Sequence, residues 1–326
     1  MDNENIKRVI EIFKTKNKFL ITSHVNPEGD AIGSQLAVYY LLKKIGKQPF
    51  MADHDSVPEN LRFLTGAELI ANELSEDFSP DVVIVVDCPV KERAGSICEC
   101  FDAKQFIVNI DHHVSNEFFG EVNWVEPEAS SVGEMIFYLI KAMGVKLDLN
   151  MANAIYAAII TDTGMFNYSN TSAETHQAAG ELISLGVEPK TMHDEIFEKK
   201  SAHEIKLLAS VLKTLHVKEE GRLAHMELTR DMYRAEGIDT ASTDDFINFP
   251  RSIRGVEITV FFKENGTKTD KINVSFRSAG KVDVNTIAAG FGGGGHPQAS
   301  GCVLDCGLEE AKEKVLLEAK KILREK

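Results

Sequence analysis

Two patterns of apolar residues alternate along the chain. Phe19 to Thr22 reads as a short buried strand, and nearly continuous apolar runs cover Val82 to Val86 and Phe106 to Ile110. Such runs, which do not alternate apolar with polar residues, are the texture of strands buried on both faces of a parallel sheet. Between them apolar residues recur three and four apart, as in Ile6, Val9, Ile10 and Phe13, which predicts an amphipathic helix. Further helices are predicted from Ala31 to Ile45, from Asn153 to Ile160, and from Thr171 to Leu185, the last stopped by Gly186. Ser131-Val132-Gly133-Glu134 fits a capping box opening a helix through Met143. A second strand includes Pro49 to Ala52.

Beyond Gly186 the texture changes. A connector with a short helix reaches Lys200, and a longer helix follows from Ala202 to Leu215. Val256 to Lys263 and Lys271 to Arg277 then alternate at period two on either side of Asn265-Gly266, which predicts an antiparallel hairpin. A short helix near Asn285 to Ala289 leads into a glycine run ending at His296, and Leu308 to Arg324 closes the chain as a helix. A length of 326 residues favours two domains, with the first boundary expected near residue 190.

Composition is that of an ordinary globular protein. The net charge of −14 argues against a protein that coats long duplex nucleic acid, which needs a broad basic surface. It leaves small phosphorylated substrates open, because bound cations can dominate the local field. Arg251 to Lys281 runs against the trend with seven Lys/Arg and three acids, a candidate anion patch or a solvated hairpin face. The first residues are polar and acidic, and no apolar run approaches the roughly 20 residues that span a bilayer. The five cysteines match no common zinc or redox spacing. The expectation is therefore a cytoplasmic protein with reduced, packed cysteines and no membrane partner.

The chemistry concentrates at element ends. His24, Glu28 and Asp30 follow the first strand, Asp87 ends the Val82–Val86 run, Asp111-His112-His113 follows Phe106–Ile110, and Asp162 sits in Thr161-Asp162-Thr163-Gly164. In an open α/β sheet the carboxyl ends of the strands form the ligand crevice, so these distant segments can converge there. Four carboxylates and two imidazoles suit Mn²⁺, and less ideally Mg²⁺, better than a thiolate-type zinc site. Taken singly, each has a plainer reading. Asp30 could serve only as a helix cap, and Asp87 is a lone strand-end acid whose desolvation needs a cation or donors. Neighbouring strand residues alternate sides, so one of His112 and His113 is expected as a ligand and the other toward substrate or as support. Asp53-His54-Asp55 reads as a polar loop, His193-Asp194-Glu195 as an exposed helix face, and Cys88 as packing. Gly292 to Gly295 permits positive φ and close backbone approach, enough for several amides to cradle a phosphate.

In this order the motifs resemble the DHH/DHHA1 phosphoesterases, and the likeness spans nearly the whole chain. The two-domain length is similar to the nano-RNase/pAp-phosphatase group. The resemblance implies an α/β fold: a mainly parallel sheet flanked by helices as the catalytic DHH domain (1–190), a helical connector (191–215), and a smaller α+β DHHA1 domain for substrate (216–326), with the active site in the cleft between them. It implies two divalent cations, His24 and Glu28 holding one, Asp30, His112 and Asp162 the other, and Asp87 bridging. Glu28 departs from the family's usual Asp by one methylene. Asp111 would orient the His112 segment, and His113 and Arg93 would act at the scissile phosphate. Arg254, Arg277, Ser278, Gly293, Gly294, Gly295 and His296 would hold the rest of the substrate.

The implied activity is hydrolysis of short oligoribonucleotides and of 3′-phosphoadenosine 5′-phosphate. A phosphodiesterase for linear or cyclic dinucleotides and a non-catalytic nucleotide-binding protein are the alternatives, and a homodimer is left open.

Overall fold

The computed structural model describes residues 3–74, 78–101, 105–238, 243, 245–264 and 271–324. The chain divides into two compact units, Met1–Lys199 and Lys200–Lys326.

In the first unit, strands β1 (Lys18–Thr22), β2 (Gln48–Ala52), β3 (Ile70–Ala71), β4 (Val82–Val86), β5 (Phe106–Asp111) and β6 (Val122–Val125) form one parallel sheet in the order β3-β2-β1-β4-β5-β6. Helices α1 (Asn3–Thr15), α2 (Gly29–Lys44), α3 (Val132–Ala142), α4 (Leu149–Asp162), α5 (Ala173–Ser184) and α6 (Pro189–Phe197) complete it. Alternate strand residues serve opposite faces. Phe19, Ile21, Ile84, Val86, Val108 and Ile110 join the helical core, whereas Leu20, Val83, Val85 and Ile107 pack with Ala94 and Ile97 on the other side. Both faces are covered, which is why these strands read as nearly unbroken apolar runs.

The strand order reverses at β1, with β2 on one side and β4 on the other. That switch point opens a crevice at the carboxyl ends of the strands. His24 follows β1 and Asp87 follows β4, so the crevice lies between them.

Two glycines let the helices that carry the acids come together. A Cβ on Gly33 of α2 would lie 2.3 Å from the Ala154 carbonyl oxygen of α4, and one on Gly133 of α3 would lie 2.3 Å from Ala158 Cβ. No L side chain fits at those distances, so the spacing of α2, α3 and α4 depends on hydrogen at both positions. Gly33→Ala is expected to lower stability by about 1–3 kcal/mol through overpacking. Thermal melting checks it. An unchanged melting temperature would mean α2 and α4 shift apart freely.

Helix α4 begins earlier than its apolar pattern suggests, because the Asp148 side chain caps Met151 N–H. Strand β6 escaped sequence reading: it is four residues long, with only Val122 and Trp124 buried, too short for a period to emerge.

The second unit holds α7 (Ala202–Leu212), β7 (His216–Lys218), β8 (Leu223–Leu228), α8 (Arg230–Glu236), α9 (Asn248–Arg251), β9 (Ile258–Glu264), β10 (Lys271–Ser278), α10 (Asn285–Gly290), β11 (Gly294–His296), β12 (Ala299–Asp305) and α11 (Leu308–Arg324). Its sheet runs β11-β12-β10-β9-β8-β7, antiparallel except for β8 and β9. The predicted hairpin is β9 and β10; its Asn265-Gly266 turn lies outside the described residues. Among the described residues, no helix is long and apolar enough to cross a membrane.

Candidate metal centre

Asp87 is the hub of the first unit's polar cluster. Its backbone lies in the left-handed region at φ 52°, a conformation that costs energy in a non-glycine residue and often marks a functional turn. Its amide donates to the Ile110 carbonyl at 3.0 Å, so the turn is held by the neighbouring strand. The carboxylate faces two ways. Asp87 Oδ2 lies 3.4 Å from His24 Nε2, while Oδ1 lies 3.7 Å from His112 Nε2 and 3.6 Å from His113 Nδ1.

His112 gathers the remaining acids. Its Nε2 is 3.8 Å from Asp30 Oδ2 and 3.5 Å from Asp162 Oδ2, and its Nδ1 sits 3.1 Å from the Ala129 carbonyl. That carbonyl can accept only from a protonated Nδ1, which turns Nε2 toward the carboxylates. The ligand atoms of Asp30, Asp87 and His112 all fall within 4.8 Å of one another, as do those of Asp87, Asp111 and His113.

Asp30 is more than a cap on its own helix. It accepts from the Val132 and Gly133 amides at 2.7 and 2.9 Å and from Ser34 Oγ at 2.9 Å, so it closes the N-terminus of α3 from a distant segment. Glu28 occupies the N-cap position of α2, exposed, and its negative charge acts on His24. Arg93 is exposed in the 3₁₀ segment Lys91–Cys100 rather than on an α-helix, and its charge reaches both His24 and Cys88.

Electrostatics mark the cluster as short of positive charge. Burial, then the nearby charge of Asp30, pushes the Asp87 carboxyl up to about 8. Burial and the charges of Asp30 and Asp87 push Asp162 up to about 7, although His112 acts the other way. Burial disfavours a charge on His112, but Asp162, Asp30, Asp87 and Asp111 together outweigh it and hold the imidazole up at about 9. Burial, then the Arg93 guanidinium, keeps His24 below its usual value. Cys88, raised by burial to about 12, stays a thiol that donates to the Val90 carbonyl and is no nucleophile.

The two adjacent histidines do not part company across a strand. β5 ends at Asp111, so the backbone is released and the rings meet edge to face with centroids 5.2 Å apart. A chain of polar contacts supports His113. Its Nδ1 is 2.7 Å from Asp111 Oδ1, Asn116 Nδ2 donates to Asp111 Oδ2 at 2.6 Å and to Asn109 Oδ1 at 2.7 Å, and Asn109 donates to the Val85 and Cys88 carbonyls. Burial works against the Asp111 charge, yet the His113 and Asn116 hydrogen bonds hold the carboxyl below the usual range.

Asn109 and Asn116 were missed by sequence reasoning, although an asparagine inside Phe106–Asp111 was itself a signal. Glu134 was missed too; it is buried and accepts from the Ser130 amide and hydroxyl and from Thr175 Oγ1. The expected capping box is therefore half made: Ser131 Oγ accepts from Glu134 N–H, but the Glu134 carboxylate turns elsewhere.

The family model described as the DHH family, N-terminal domain, matches residues 18–159, and that of the DHHA1 domain matches residues 222–325. A bifunctional oligoribonuclease and PAP phosphatase NrnA of Thermus thermophilus is 31% identical over 316 residues, 96% of this chain and 93% of that protein. The chain belongs to the DHH family. The NrnA of Bacillus subtilis is likewise 31% identical, covering 90% of each chain. Among solved structures, an exopolyphosphatase-related protein from Bacteroides fragilis superposes with a TM-score of 0.88 at 29% identity, covering 98% of both chains.

In the DHHA1 part, Arg277 lies on β10 opposite Thr259 and Ala299, and Arg254 is exposed in the loop after α9. Ser278, next along β10, points to the other face, where its Oγ accepts from the Gly280 and Val282 amides. The glycine run is narrower than a full phosphate cradle. Gly292 and Gly293 donate their amides to the Ala289 and Ala288 carbonyls at the end of α10, while Gly294, Gly295 and His296 form the edge strand β11. Gly293 needs hydrogen for a nearer reason: a Cβ there would sit 2.1 Å from the Gly301 carbonyl oxygen of β12.

Proposed function

We propose that the chain is a metal-dependent phosphoesterase. Its substrates would be short oligoribonucleotides, cut to mononucleotides, and 3′-phosphoadenosine 5′-phosphate, dephosphorylated to AMP. The observation that supports this most is Asp87, a strained, buried carboxylate addressed by His24 on one oxygen and by His112 and His113 on the other. The relatives named as oligoribonucleases and PAP phosphatases, similar over nearly the whole chain, support the substrate class.

The donor set fits divalent cations. Carboxylates and imidazoles crowd together with Asp87 and Asp162 held far above the ordinary carboxyl value, a state that added positive charge relieves. His24 and Glu28 would hold one cation, Asp30, His112 and Asp162 a second, and Asp87 both; the hard and borderline donors favour Mn²⁺ and then Mg²⁺. When bound, such cations lower the pKa of water and neutralise charge developing on phosphorus.

The chain's own groups do the rest. Asp111 accepts from His113 Nδ1–H, and when His113 is protonated at both nitrogens its Nε2–H would meet the scissile phosphate and pass that proton to the departing oxygen. Arg93 supplies a guanidinium for a non-bridging oxygen. Arg254, Arg277 and the Gly294 to His296 segment would supply cationic and amide groups for the remainder of the substrate, while the Gly293 amide is already taken by the Ala288 carbonyl and Ser278 shapes the turn beside them. The test is turnover with Mn²⁺ across pApA, pGpG, pAp and a cyclic dinucleotide. Hydrolysis of the three linear substrates, abolished by a chelator, is expected. Binding without turnover of any of them overturns the reading.

A second prediction concerns pH. Asp87 at about 8 and Asp162 at about 7 lie above the ordinary 3.8, so their ionisation opposes folding of the metal-free chain increasingly as pH rises through that window. His112, raised from 6.5 to about 9, contributes stability that is complete below 6.5 and lost as pH rises through 9. Cations displace these protons and repair both losses. The rise in melting temperature on adding Mn²⁺ is thus expected to be larger at pH 8 than at pH 6; the reverse order would contradict the assignment.

A further inference from the structure

Asp53 directly follows β2 and is wholly buried, although the sequence places it in a polar loop. Its Oδ1 accepts from Thr22 Oγ1 at 3.2 Å, from the Ser23 amide at 2.8 Å and from Ser23 Oγ at 3.2 Å, and its Oδ2 accepts from Gln35 Nε2 at 2.5 Å. Gln35 Nε2 also donates to Ser23 Oγ at 2.8 Å. The backbone of Asp53 is itself fixed, its amide donating to the Ala71 carbonyl at 2.9 Å. Both oxygens of this buried carboxyl thus accept hydrogen bonds from fixed neighbours, which satisfies it away from water.

These partners have a common property. Thr22 and Ser23 are the two residues immediately before His24, and Gln35 lies on α2, the helix that starts beside Glu28 and carries Asp30. Two residues beyond Asp53, Asp55 Oδ2 accepts from the Asn26 amide at 2.7 Å, holding Asn26 at φ 53°. The loop after β2 thus grips the His24 loop on both sides of the imidazole. The Val25 amide, donating to the Arg93 carbonyl at 2.6 Å, holds it from the opposite direction.

We propose that Asp53 is the positioning residue of the His24 side of the metal centre: by locking Ser23 and Gln35 to one carboxylate it fixes His24 against Asp87 and so sets cation affinity there. This rests on the two-cation reading above. Asp53 touches neither cation nor substrate in this role; it acts through Ser23 and α2. Groups that hold a ligand in place typically govern affinity by about 10–100-fold.

The test measures Mn²⁺ binding by calorimetry and Mn²⁺ dependence of pApA turnover for wild type, Asp53→Asn, Asp53→Ala and Ser23→Ala. Asparagine keeps an acceptor for the Ser23 amide, but its NH₂ meets Gln35 Nε2 donor to donor. Gln35 must turn its amide over, offering its otherwise unpartnered Oε1 and releasing Ser23 Oγ. Asp53→Asn is therefore expected to raise the dissociation constant of the weaker Mn²⁺ site about tenfold and Asp53→Ala about a hundredfold, with kcat recovering at saturating Mn²⁺. Ser23→Ala, which removes one hydroxyl, covers the case in which the Asp53 variants do not fold, and should weaken the same site severalfold. Val274→Ala, in the core of the second unit, controls for lost stability and should leave Mn²⁺ affinity unchanged. Wild-type Mn²⁺ affinity in the Asp53 variants, or in Ser23→Ala if those do not fold, overturns the inference. Absence of wild-type turnover would instead overturn the phosphoesterase reading and leave the binding comparison intact.

Discussion

Asp87→Gly should give a metal-free protein at least as stable as the wild type, to within about 1 kcal/mol, and without turnover. Two stability effects favour the variant. Glycine relieves the left-handed backbone at φ 52°, worth about 1–2 kcal/mol, and removes a buried carboxylate whose ionisation opposes folding. Against them stands the extra chain entropy of glycine, about 0.5–1 kcal/mol. The amide bond to Ile110 survives, so the turn keeps its anchor. Turnover fares differently, because Asp87 faces both His24 and the His112 and His113 pair. Losing it separates the two halves of the site, and kcat should fall at least about a thousandfold, the worth of several kcal/mol of charge stabilisation. Melting without metal and single-turnover kinetics with Mn²⁺ are the measurements. A variant that is dead but also far less stable would make Asp87 a folding residue, and one that turns over normally would end the two-cation assignment.

Asp111→Asn should lower kcat by roughly 10²–10⁴-fold with little change in KM. The substitution preserves shape, and Asn116 can still donate to the remaining carbonyl oxygen. What changes is the atom facing His113 Nδ1. A carboxylate there demands a proton on Nδ1 and stabilises an imidazolium, whereas an amide NH₂ demands a lone pair and favours the other tautomer. His113 then loses the protonation state that serves a departing oxygen. A substrate with a much better leaving group, such as bis-(p-nitrophenyl) phosphate, should be spared most of the loss because it needs no proton. Equal losses on both substrates would assign Asp111 to orientation alone.

Much of the candidate site was legible because the candidate ligands lie at the ends of recognisable elements. The apolar runs before Asp87 and Asp111 announce parallel strands, and the switch-point rule then places their ends together. Supporting groups were harder to read, since their meaning depends on partners distant in sequence. Asp53 looks like a loop acid until β2 is set beside β1, and Asp30 looks like a local cap until α3 arrives above it.

The sequence by itself determined the α/β class, the two-part organisation, the DHH family and the identity of the candidate ligands, because hydrophobic period and motif order are local properties of the chain. Tertiary structure alone decided that Asp87 presents separate oxygens to His24 and to the His112–His113 pair, that Asn116 and Asn109 brace Asp111, and that Gly33 sets the approach of α2 to α4. Those facts depend on backbone dihedrals and on distances between segments up to a hundred residues apart, which no local pattern encodes.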